Sequence, residues 1–217
     1  MKYDLVVFDM DGTVLDTLDD LTATVNHVMD SRGFPNRSRA EVKSFIGNGV
    51  RVLLTRSAPR EVDAVTLNSM YKTFVEYYRD HWADKTVPYE GIDRLLSRLR
   101  DGGVATALIS NKADFAVGLL CDRFYPGLFD RFHGEREGIP RKPDPAGVLD
   151  VIRELGADKE RTLYVGDSGV DLETAHRAGI DCVLVDWGYL NTEISPDPER
   201  DRFASSPDEV FDIVAGK

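Results

Sequence analysis

The chain has 217 residues, and 42% of them are hydrophobic, which is enough to build a substantial core. Its 38 acidic and 27 basic residues give a formal net charge of −11, and such a charge repels nucleic acids and anionic membrane surfaces. We therefore expect neither a nucleic acid nor a membrane as a partner.

The hydropathy of the chain and its cysteine content both indicate where the protein is located. No apolar stretch reaches transmembrane length, and the amino-terminal segment MKYDLVVFDMDG meets acidic residues too early for a signal peptide. Cys121 and Cys182 are too few for a disulfide framework and lack the spacing of metal ligands. We expect two reduced interior thiols in a soluble, cytoplasmic protein.

The first predicted element is a buried strand at 5–8 (LVVF), which ends in Asp9 and Asp11. Residues two apart on a strand point the same way, so both carboxylates would crowd one place at the carboxyl end of the strand. Such crowding is costly unless a cation or a shared proton relieves it. The stretch LVVFDMDGTVLDT (5–17) therefore predicts either a metal site or an acid/base pair.

The segment from about Asp16 to Trp82 is predicted to be helical. Its apolar residues recur at three- and four-residue steps, and SRAE (38–41) has the pattern of a capping box at a helix start. An insertion directly after the first strand lies above the carboxyl ends of the strands, where open parallel sheets bind ligands. We predict a helical cap domain at 16–84 that acts as a lid on a core formed by 1–15 and 85–217.

The pattern changes after the segment VPYEG, and strands alternate with helices from there on. The predicted strands are 104–109, 162–165 and 182–186, and the predicted helices lie near 90–101, 113–124, 145–155 and 169–178. SPDE (206–209), with a proline in the first turn, would begin a last helix. This alternation is typical of an α/β fold with a parallel sheet and crossover helices.

Polar residues follow two of these later strands. One apolar run ends in Ser110 and Asn111, and another ends in Gly166-Asp167, with Asp171 four residues later. Lys142 lies between prolines in PRKPDPAG, ahead of a helix. Taken singly, the serine, the asparagine and Asp167 could be helix caps, and the lysine could be a solvated surface residue.

The conjunction of these residues is more informative than any one of them. Four carboxylates at one sheet edge need a hard divalent cation, and oxygen ligands with room for water suit magnesium. Lys142 and Ser110 would then hold an anion. Together the residues outline a pocket for one phosphoryl group, with Asp9 placed to attack it.

Four motifs also occur in a familiar order. They are DMDGT (9–13), Ser110 within ISN, Lys142 within RKPDP, and GDSGVD (166–171). Over nearly its whole length the chain resembles a phosphatase of the haloacid dehalogenase superfamily, and more narrowly the phosphoglycolate phosphatase branch. The resemblance implies a Rossmann-like core of roughly five parallel strands, a mobile helical cap, magnesium dependence and an aspartyl-phosphate intermediate.

The same resemblance implies roles for individual residues. Asp9 would be the nucleophile, and Asp11 would be the general acid/base, with its main-chain carbonyl as a metal contact. Magnesium would also contact Asp9 and Asp167, and Asp171 would be an occasional ligand or would orient its neighbours. The phosphate oxygens would be held at the Gly12 turn by Thr13, Ser110, the backbone of Asn111, and Lys142.

Several activities share these motifs. Dehalogenases attack carbon and need no carboxyl acid at the second position, so the DxD pair favours phosphoryl transfer. A phosphoglycolate phosphatase, a pyrophosphatase or sugar-phosphate phosphatase, and a phosphomutase remain; the mutase ranks last, because 16–19 offers neither the histidine nor the lysine expected of that branch.

Two non-enzymatic alternatives also remain. A receiver-like signalling module uses similar acidic residues and a lysine, but it takes its phosphoaccepting Asp from a later strand and lacks a large insertion after the first. A catalytically silent binding protein would have little reason to keep Asp9, Asp11, Lys142 and Asp167 together.

The substrate is predicted from two further segments. FIGNGVRVLLTR (45–56) resembles the Gly-Asn-Gly turn and following arginine of phosphoglycolate phosphatases, and DWGYLNTEI (186–194) resembles their segment after the last motif. Both segments could instead be structural. We predict that Arg51 or Arg56 binds the carboxylate of 2-phosphoglycolate, that the partner is a small phosphate ester, and that the protein is a monomer or homodimer.

Overall fold

The computed structural model describes residues 1–189 and 195–217. Within them the strands are β1 (Leu5–Phe8), β2 (Leu15–Asp16), β3 (Val87–Pro88), β4 (Ala105–Ala113), β5 (Arg131–Glu135), β6 (Thr162–Gly166), β7 (Asp181–Val185) and β8 (Asp201–Ala204). The helices are α1 (Leu18–Asp30), α2 (Arg39–Phe45), α3 (Gly49–Ser57), α4 (Ala64–His81), α5 (Ile92–Asp101), α6 (Asp114–Phe124), α7 (Ala146–Leu155), α8 (Gly169–Ala178) and α9 (Pro207–Ala215).

Six of the strands form one sheet in the order β5-β4-β1-β6-β7-β8, and every neighbouring pair is parallel. The predicted α/β fold with a parallel sheet is thereby confirmed, with six strands where roughly five were expected. The two strands that the sequence did not reveal are the edge strands β5 and β8. Their segments, RFHGE and DRFA, lack a continuous apolar run because they are only partly buried.

The run LVVF is apolar throughout because β1 is covered on both faces. Val6 and Phe8 pack into one hydrophobic cluster, together with residues of α5, α6 and α9. Leu5 and Val7 pack into a second cluster on the opposite face, together with residues of α7 and α8. Burial on both faces is the usual environment of a central parallel strand, and it places β1 in the middle of the molecule.

Helices α1 to α4 (18–81), called here the helical insertion, have a hydrophobic cluster of their own. The predicted capping box is present. The Ser38 side chain accepts from the Glu41 backbone N–H, and the Glu41 side chain accepts from the Ser38 backbone N–H. The insertion is joined to the core through the antiparallel pair of β2 and β3. This arrangement agrees with a cap between two core segments, and the exact division at 16–84 stays a prediction.

Two further sequence expectations concern burial. Cys121 and Cys182 are both free and buried, and burial raises the pKa of each thiol. In the described part of the chain, no helix is long and apolar enough to cross a membrane.

Candidate active site

Asp9, Ser110 and Asp167, three of the predicted site residues, meet at the carboxyl edge of three adjacent strands. Asp9 follows β1 directly, its backbone N–H donating to Val165 of β6 at 3.0 Å. Asp167 follows β6, and Ser110 lies in β4 beyond a register shift that begins after Ile109. Because β1 lies between β4 and β6, these side chains converge on one place.

Three carboxylates form the centre of the site. Asp9, Asp167 and Asp171 are buried, and one oxygen of each lies within 4.8 Å of the other two. Burial raises the pKa of Asp9 to about 6; the ammonium of Lys142 opposes this rise, and the charge of Asp171 adds to it. Burial and the charges of Asp171 and Asp9 also hold the pKa of Asp167 well above its ordinary value.

Lys142 balances part of this negative charge. Its Nζ lies 2.8 Å from Asp9 Oδ1 and 2.7 Å from Asp171 Oδ1, and it donates to the Tyr164 hydroxyl at 3.0 Å. Burial alone would lower the pKa of Lys142, but the charges of Asp171 and Asp9 outweigh it and raise the pKa. The lysine is therefore a permanent cation beside Asp9.

The Asn111 side chain holds the lysine loop in place. Its Oδ1 accepts from the Lys142 backbone N–H at 2.9 Å, and its Nδ2 donates to the carbonyls of Lys142 and Gly47, each at 2.9 Å. Gly47 belongs to the helical insertion, so one amide joins β4, the lysine loop and the insertion. The phosphate contact predicted for the Asn111 backbone stays a prediction.

The carboxylate oxygens of this site are suitable ligands for a hard cation. Asp9 Oδ1 is buried, and the Lys142 ammonium lies 2.8 Å from it. Asp167 accepts from Thr13 Oγ1 at 3.3 Å and from the Tyr189 backbone at 2.5 Å. Buried carboxylate oxygens repel one another, and as ligands they suit a divalent cation such as Mg²⁺.

Asp171 differs from the other two carboxylates, because both of its oxygens already have donors. Oδ1 accepts from Lys142 and from Tyr164, and Oδ2 accepts from the backbone and hydroxyl of Ser168. This arrangement favours the orienting role over direct ligation, with Lys142 as the group that is oriented.

Gly12 allows the turn after β1 to pass under the acidic cluster. Its φ is +89°, and a Cβ at this position would lie 2.2 Å from Asp167 Oδ2. Only glycine therefore combines this backbone conformation with this close approach. The turn also places Thr13 against Asp167.

Asp11 has a different environment from the other acids. Its Oδ1 accepts from Thr17 Oγ1 at 2.6 Å and from Lys112 Nζ at 3.0 Å. Burial alone would lower the pKa of Lys112, but Asp11 and Tyr78 raise it. Lys112 directly follows Asn111 but was not predicted to be a site residue, because a lone lysine in a sequence carries no signal for burial.

A cavity lies between this sheet edge and the helical insertion. From the sheet side it is lined by Asp9, Asp11, Ser110, Asn111, Lys112, Lys142 and Asp167, and from the insertion side the lining includes Leu21, Ile46, Val50, Leu53, Phe74 and Tyr78. The insertion therefore covers the site with a mostly apolar surface. A ligand bound here would be enclosed by both parts of the molecule.

The two predicted cap arginines lie elsewhere. Arg51 is exposed, donates to Asn68 and packs over the Tyr71 ring, while Arg56 is exposed and donates to the Phe45 carbonyl. Neither is among the residues that line the cavity. Their contact with a substrate stays a prediction to which this arrangement gives no support.

The segment DWGYLNTEI contributes through its first residues. Trp187 Nε1 donates to the Thr13 carbonyl at 3.1 Å, and the Tyr189 hydroxyl accepts from the Thr17 backbone at 3.0 Å. Residues 190–194 of this segment lie outside the described residues. The described part therefore supports the turn that carries Asp11 and Thr13.

Comparisons with known proteins agree on one group. The family model of the haloacid dehalogenase-like hydrolases matches residues 6–185. A phosphoglycolate phosphatase of Pseudomonas putida is 35% identical over 190 residues, which cover 85% of this chain and 70% of the relative. One from Agrobacterium fabrum is 30% identical over 222 residues, covering 98% and 94%.

Solved structures agree with these sequence relatives. A predicted phosphoglycolate phosphatase of Lactobacillus delbrueckii subsp. bulgaricus is 31% identical with a TM-score of 0.88, and all of both chains is covered. CbbY of Rhodobacter sphaeroides, solved in complex with phosphate, has a TM-score of 0.78 at 21% identity over 96% of each chain, and it supports the fold alone.

Proposed function

The chain belongs to the haloacid dehalogenase-like hydrolase family and is a phosphatase, and we propose that it hydrolyses a small phosphomonoester through an aspartyl-phosphate on Asp9. The observation that carries the proposal is the position of Asp9 at the floor of the cavity. There it lies between the Lys142 ammonium and the buried Asp167 carboxylate, next to Asp11. Membership of a hydrolase family also removes the receiver-like alternative.

In the first half-reaction, an Asp9 carboxylate oxygen attacks phosphorus and the bond to the ester oxygen breaks. Asp11 donates a proton to that oxygen, so the leaving group departs as an alcohol. Lys142, Ser110, Thr13 and backbone N–H groups at the Gly12 turn would hold the phosphoryl oxygens and stabilise their charge.

In the second half-reaction, Asp11 takes a proton from a water molecule as the water oxygen attacks the phosphorus of the aspartyl-phosphate. The acyl-phosphate bond breaks, inorganic phosphate forms and the Asp9 carboxylate is restored. The insertion, whose cavity surface is mostly apolar, would limit the access of bulk water and of large phosphoproteins.

A divalent cation completes this scheme, and Mg²⁺ is the one we propose. Asp9 and Asp167 would hold it, with the Asp11 carbonyl as a further contact and Asp171 as an orienting residue. When bound, the cation would offset the repulsion between the Asp9 carboxylate and the phosphate dianion. Lys142 alone supplies one positive charge for three carboxylates.

For the substrate, 2-phosphoglycolate is our first candidate, because the relatives named above are phosphoglycolate phosphatases. The mechanism itself is common to many phosphate esters, so the cavity must select the leaving group. A pyrophosphatase or a sugar-phosphate phosphatase is the alternative.

A substrate panel tests the proposal. We expect the highest kcat/KM for 2-phosphoglycolate among 2-phosphoglycolate, pyrophosphate, glucose 1-phosphate, glucose 6-phosphate and nucleotides, with activity lost in chelator and restored by Mg²⁺. Asp9→Asn should abolish turnover of every substrate, with Asp122→Asn on the exposed side of α6 as the control. Full activity after exhaustive metal removal, or turnover by Asp9→Asn, would contradict the mechanism.

A further inference from the structure

We propose that Lys112 and Tyr78 form the subsite that binds the carboxylate of the substrate, and this inference rests on the proposed function. The subsite would select small phosphomonoesters whose ester carbon carries a carboxylate. It joins a core residue from β4 to a residue of α4 in the helical insertion.

Lys112 has the charge and the position for this role. Within the described part of the chain, Lys112 and Lys142 are the cationic side chains that line the cavity. Lys142 is engaged by Asp9 and Asp171 on the phosphoryl side. Lys112 is therefore the cation that is left for a second anionic group.

The ammonium of Lys112 is buried beside Asp11 and Tyr78. The lysine side chain is 4% exposed, and its one ion pair in the described residues is with Asp11, at 3.0 Å and 3.3 Å from the two carboxylate oxygens. A buried charge is costly unless it is paired, and a substrate carboxylate would add a second ion-pair partner.

Tyr78 supplies an independent observation. Its side chain lines the cavity and is 2% exposed; its hydroxyl interacts with the Lys112 ammonium, and among the described residues no group accepts the hydroxyl proton. The Lys112 ammonium lies 4.9 Å from the centre of the Tyr78 ring. A buried hydroxyl whose proton has no acceptor is unfavourable, so this one is suited to donate to a ligand in the same place.

The chemistry of the leaving group connects these two residues with the reaction. If Asp11 protonates the ester oxygen, that oxygen lies beside Asp11, and in 2-phosphoglycolate a single methylene separates it from the carboxylate. The carboxylate then falls close to Asp11, where the Lys112 ammonium is already found. Binding it there would bring the ester oxygen to its acid.

The two predicted cap arginines are not placed to pair with a carboxylate in the cavity. Arg51 and Arg56 lie outside the cavity lining, and the remaining lining from the insertion is mainly aliphatic or aromatic. A neutral leaving group could pack against that surface, whereas a carboxylate without a cation could not be buried there.

The test compares 2-phosphoglycolate with 2-hydroxyethyl phosphate, which has a similar size and a neutral hydroxymethyl group in place of the carboxylate. We expect Lys112→Met to lower the ratio of the two kcat/KM values about 10- to 100-fold, and Tyr78→Phe to lower it about 5- to 20-fold. The control variants are Lys72→Met and Tyr77→Phe. Both residues lie in α4, the helix of Tyr78, but outside the cavity lining, so these changes should leave the ratio unchanged.

The ratio separates recognition from damage to Asp11, because loss of Asp11 positioning would lower both values together. An equal loss on both substrates with Lys112→Met, together with an unchanged ratio for Tyr78→Phe, would overturn the proposal. So would a fall in the ratio for Arg51→Ala with none for Lys112→Met.

Binding supplies a measurement that does not need turnover. In the Asp9→Asn background, titration calorimetry should show that 2-phosphoglycolate binds more tightly than 2-hydroxyethyl phosphate, and that Lys112→Met removes most of the difference. Equal binding of both ligands before the lysine is changed would overturn the subsite. If the enzyme hydrolyses neither ester, the proposed function fails, and this binding difference still decides the subsite.

Discussion

At the scale of single residues, two neighbouring carboxylates have opposite surroundings. Asp9 is enclosed with Lys142 and two further acids, whereas Asp11 turns toward Thr17 and Lys112. In the proposed mechanism, these different surroundings correspond to a nucleophile at Asp9 and to an acid/base at Asp11. The environment, supplied by strands far away in the chain, divides the roles.

The role of Asp11 predicts a dependence on the leaving group. Asp11→Asn should lower kcat/KM for 2-phosphoglycolate or another alkyl phosphate about 10²- to 10⁴-fold, because an alkoxide needs a proton to leave. The loss on 4-nitrophenyl phosphate should be smaller in the first half-reaction, since that phenolate leaves unprotonated. Steady-state rates with both esters measure the difference.

A suitable control is Asp19→Asn, on the exposed side of α1. Equal losses on the alkyl and aryl esters would show that Asp11 acts in some other way, for example by holding Lys112. The comparison of esters is needed because the substitution also removes the partner of that lysine.

At the scale of elements, the connection between the helical insertion and the core is held by one buried carboxylate. Asp20 of α1 accepts from the backbone N–H groups of Lys85 and Thr86 and from the Thr86 hydroxyl, at 2.7 to 3.0 Å. The chain enters the insertion at α1 and leaves it at these residues. Asp20 thus ties the two connecting segments together beside the β2–β3 pair.

We predict that Asp20→Ala lowers the free energy of unfolding by about 2–4 kcal/mol, because it leaves two backbone N–H groups and a hydroxyl without their acceptor. The matched control is Asp19→Ala, whose exposed ion pair with Arg39 should be worth less than about 1 kcal/mol. Urea unfolding followed by circular dichroism measures both. Similar small effects for the two variants would contradict this role of Asp20.

At the scale of the whole molecule, the site stores electrostatic repulsion. The chain carries a net charge of −11, and three of its carboxylates are buried together with one lysine between them. Clustering of this kind opposes folding wherever the acids are ionised. Binding of a cation would remove much of this cost.

The raised pKa of Asp9, about 6 against an ordinary 3.8, contributes to the dependence of stability on pH. Because folding favours the protonated carboxyl, the ionised group destabilises the metal-free protein fully above about pH 6, and the penalty disappears as the pH falls below about 4. Asp9→Asn should therefore raise the free energy of unfolding at pH 7.5 by about 1–3 kcal/mol without metal. Near pH 4 the gain should vanish.

Urea unfolding at both pH values, with and without Mg²⁺, measures this effect. Mg²⁺ should stabilise the parent at pH 7.5 more than the Asp9→Asn variant, because the variant lacks one ligand. The same gain for the variant at pH 4 and pH 7.5 would show that repulsion at Asp9 is not its cause.

The pattern of apolar residues was sufficient to predict the fold class and the ends of the main strands. The run LVVF, the later apolar runs and the helical spacing between 16 and 82 report burial directly, because a strand covered on both faces and a helix covered on one must be apolar in a fixed period. Asp9 and Asp167 were identified for the same reason, since each follows an apolar run, whereas Lys142 was identified by its conjunction with these acids and by the family motif RKPDP. The partly buried edge strands β5 and β8 lack that signal.

The side chains that meet across the cavity could not be predicted in the same way, because their contacts depend on tertiary packing. Lys112 is an ordinary lysine in the sequence, yet it is buried against Asp11, and Tyr78 is one of several aromatic residues on α4. Arg51 or Arg56 was predicted to bind the substrate because both follow a Gly-Asn-Gly turn, yet both side chains are exposed. Sequence periodicity tells whether a residue is inside or outside, whereas the partner of a buried charge depends on the packing of segments far apart in the chain.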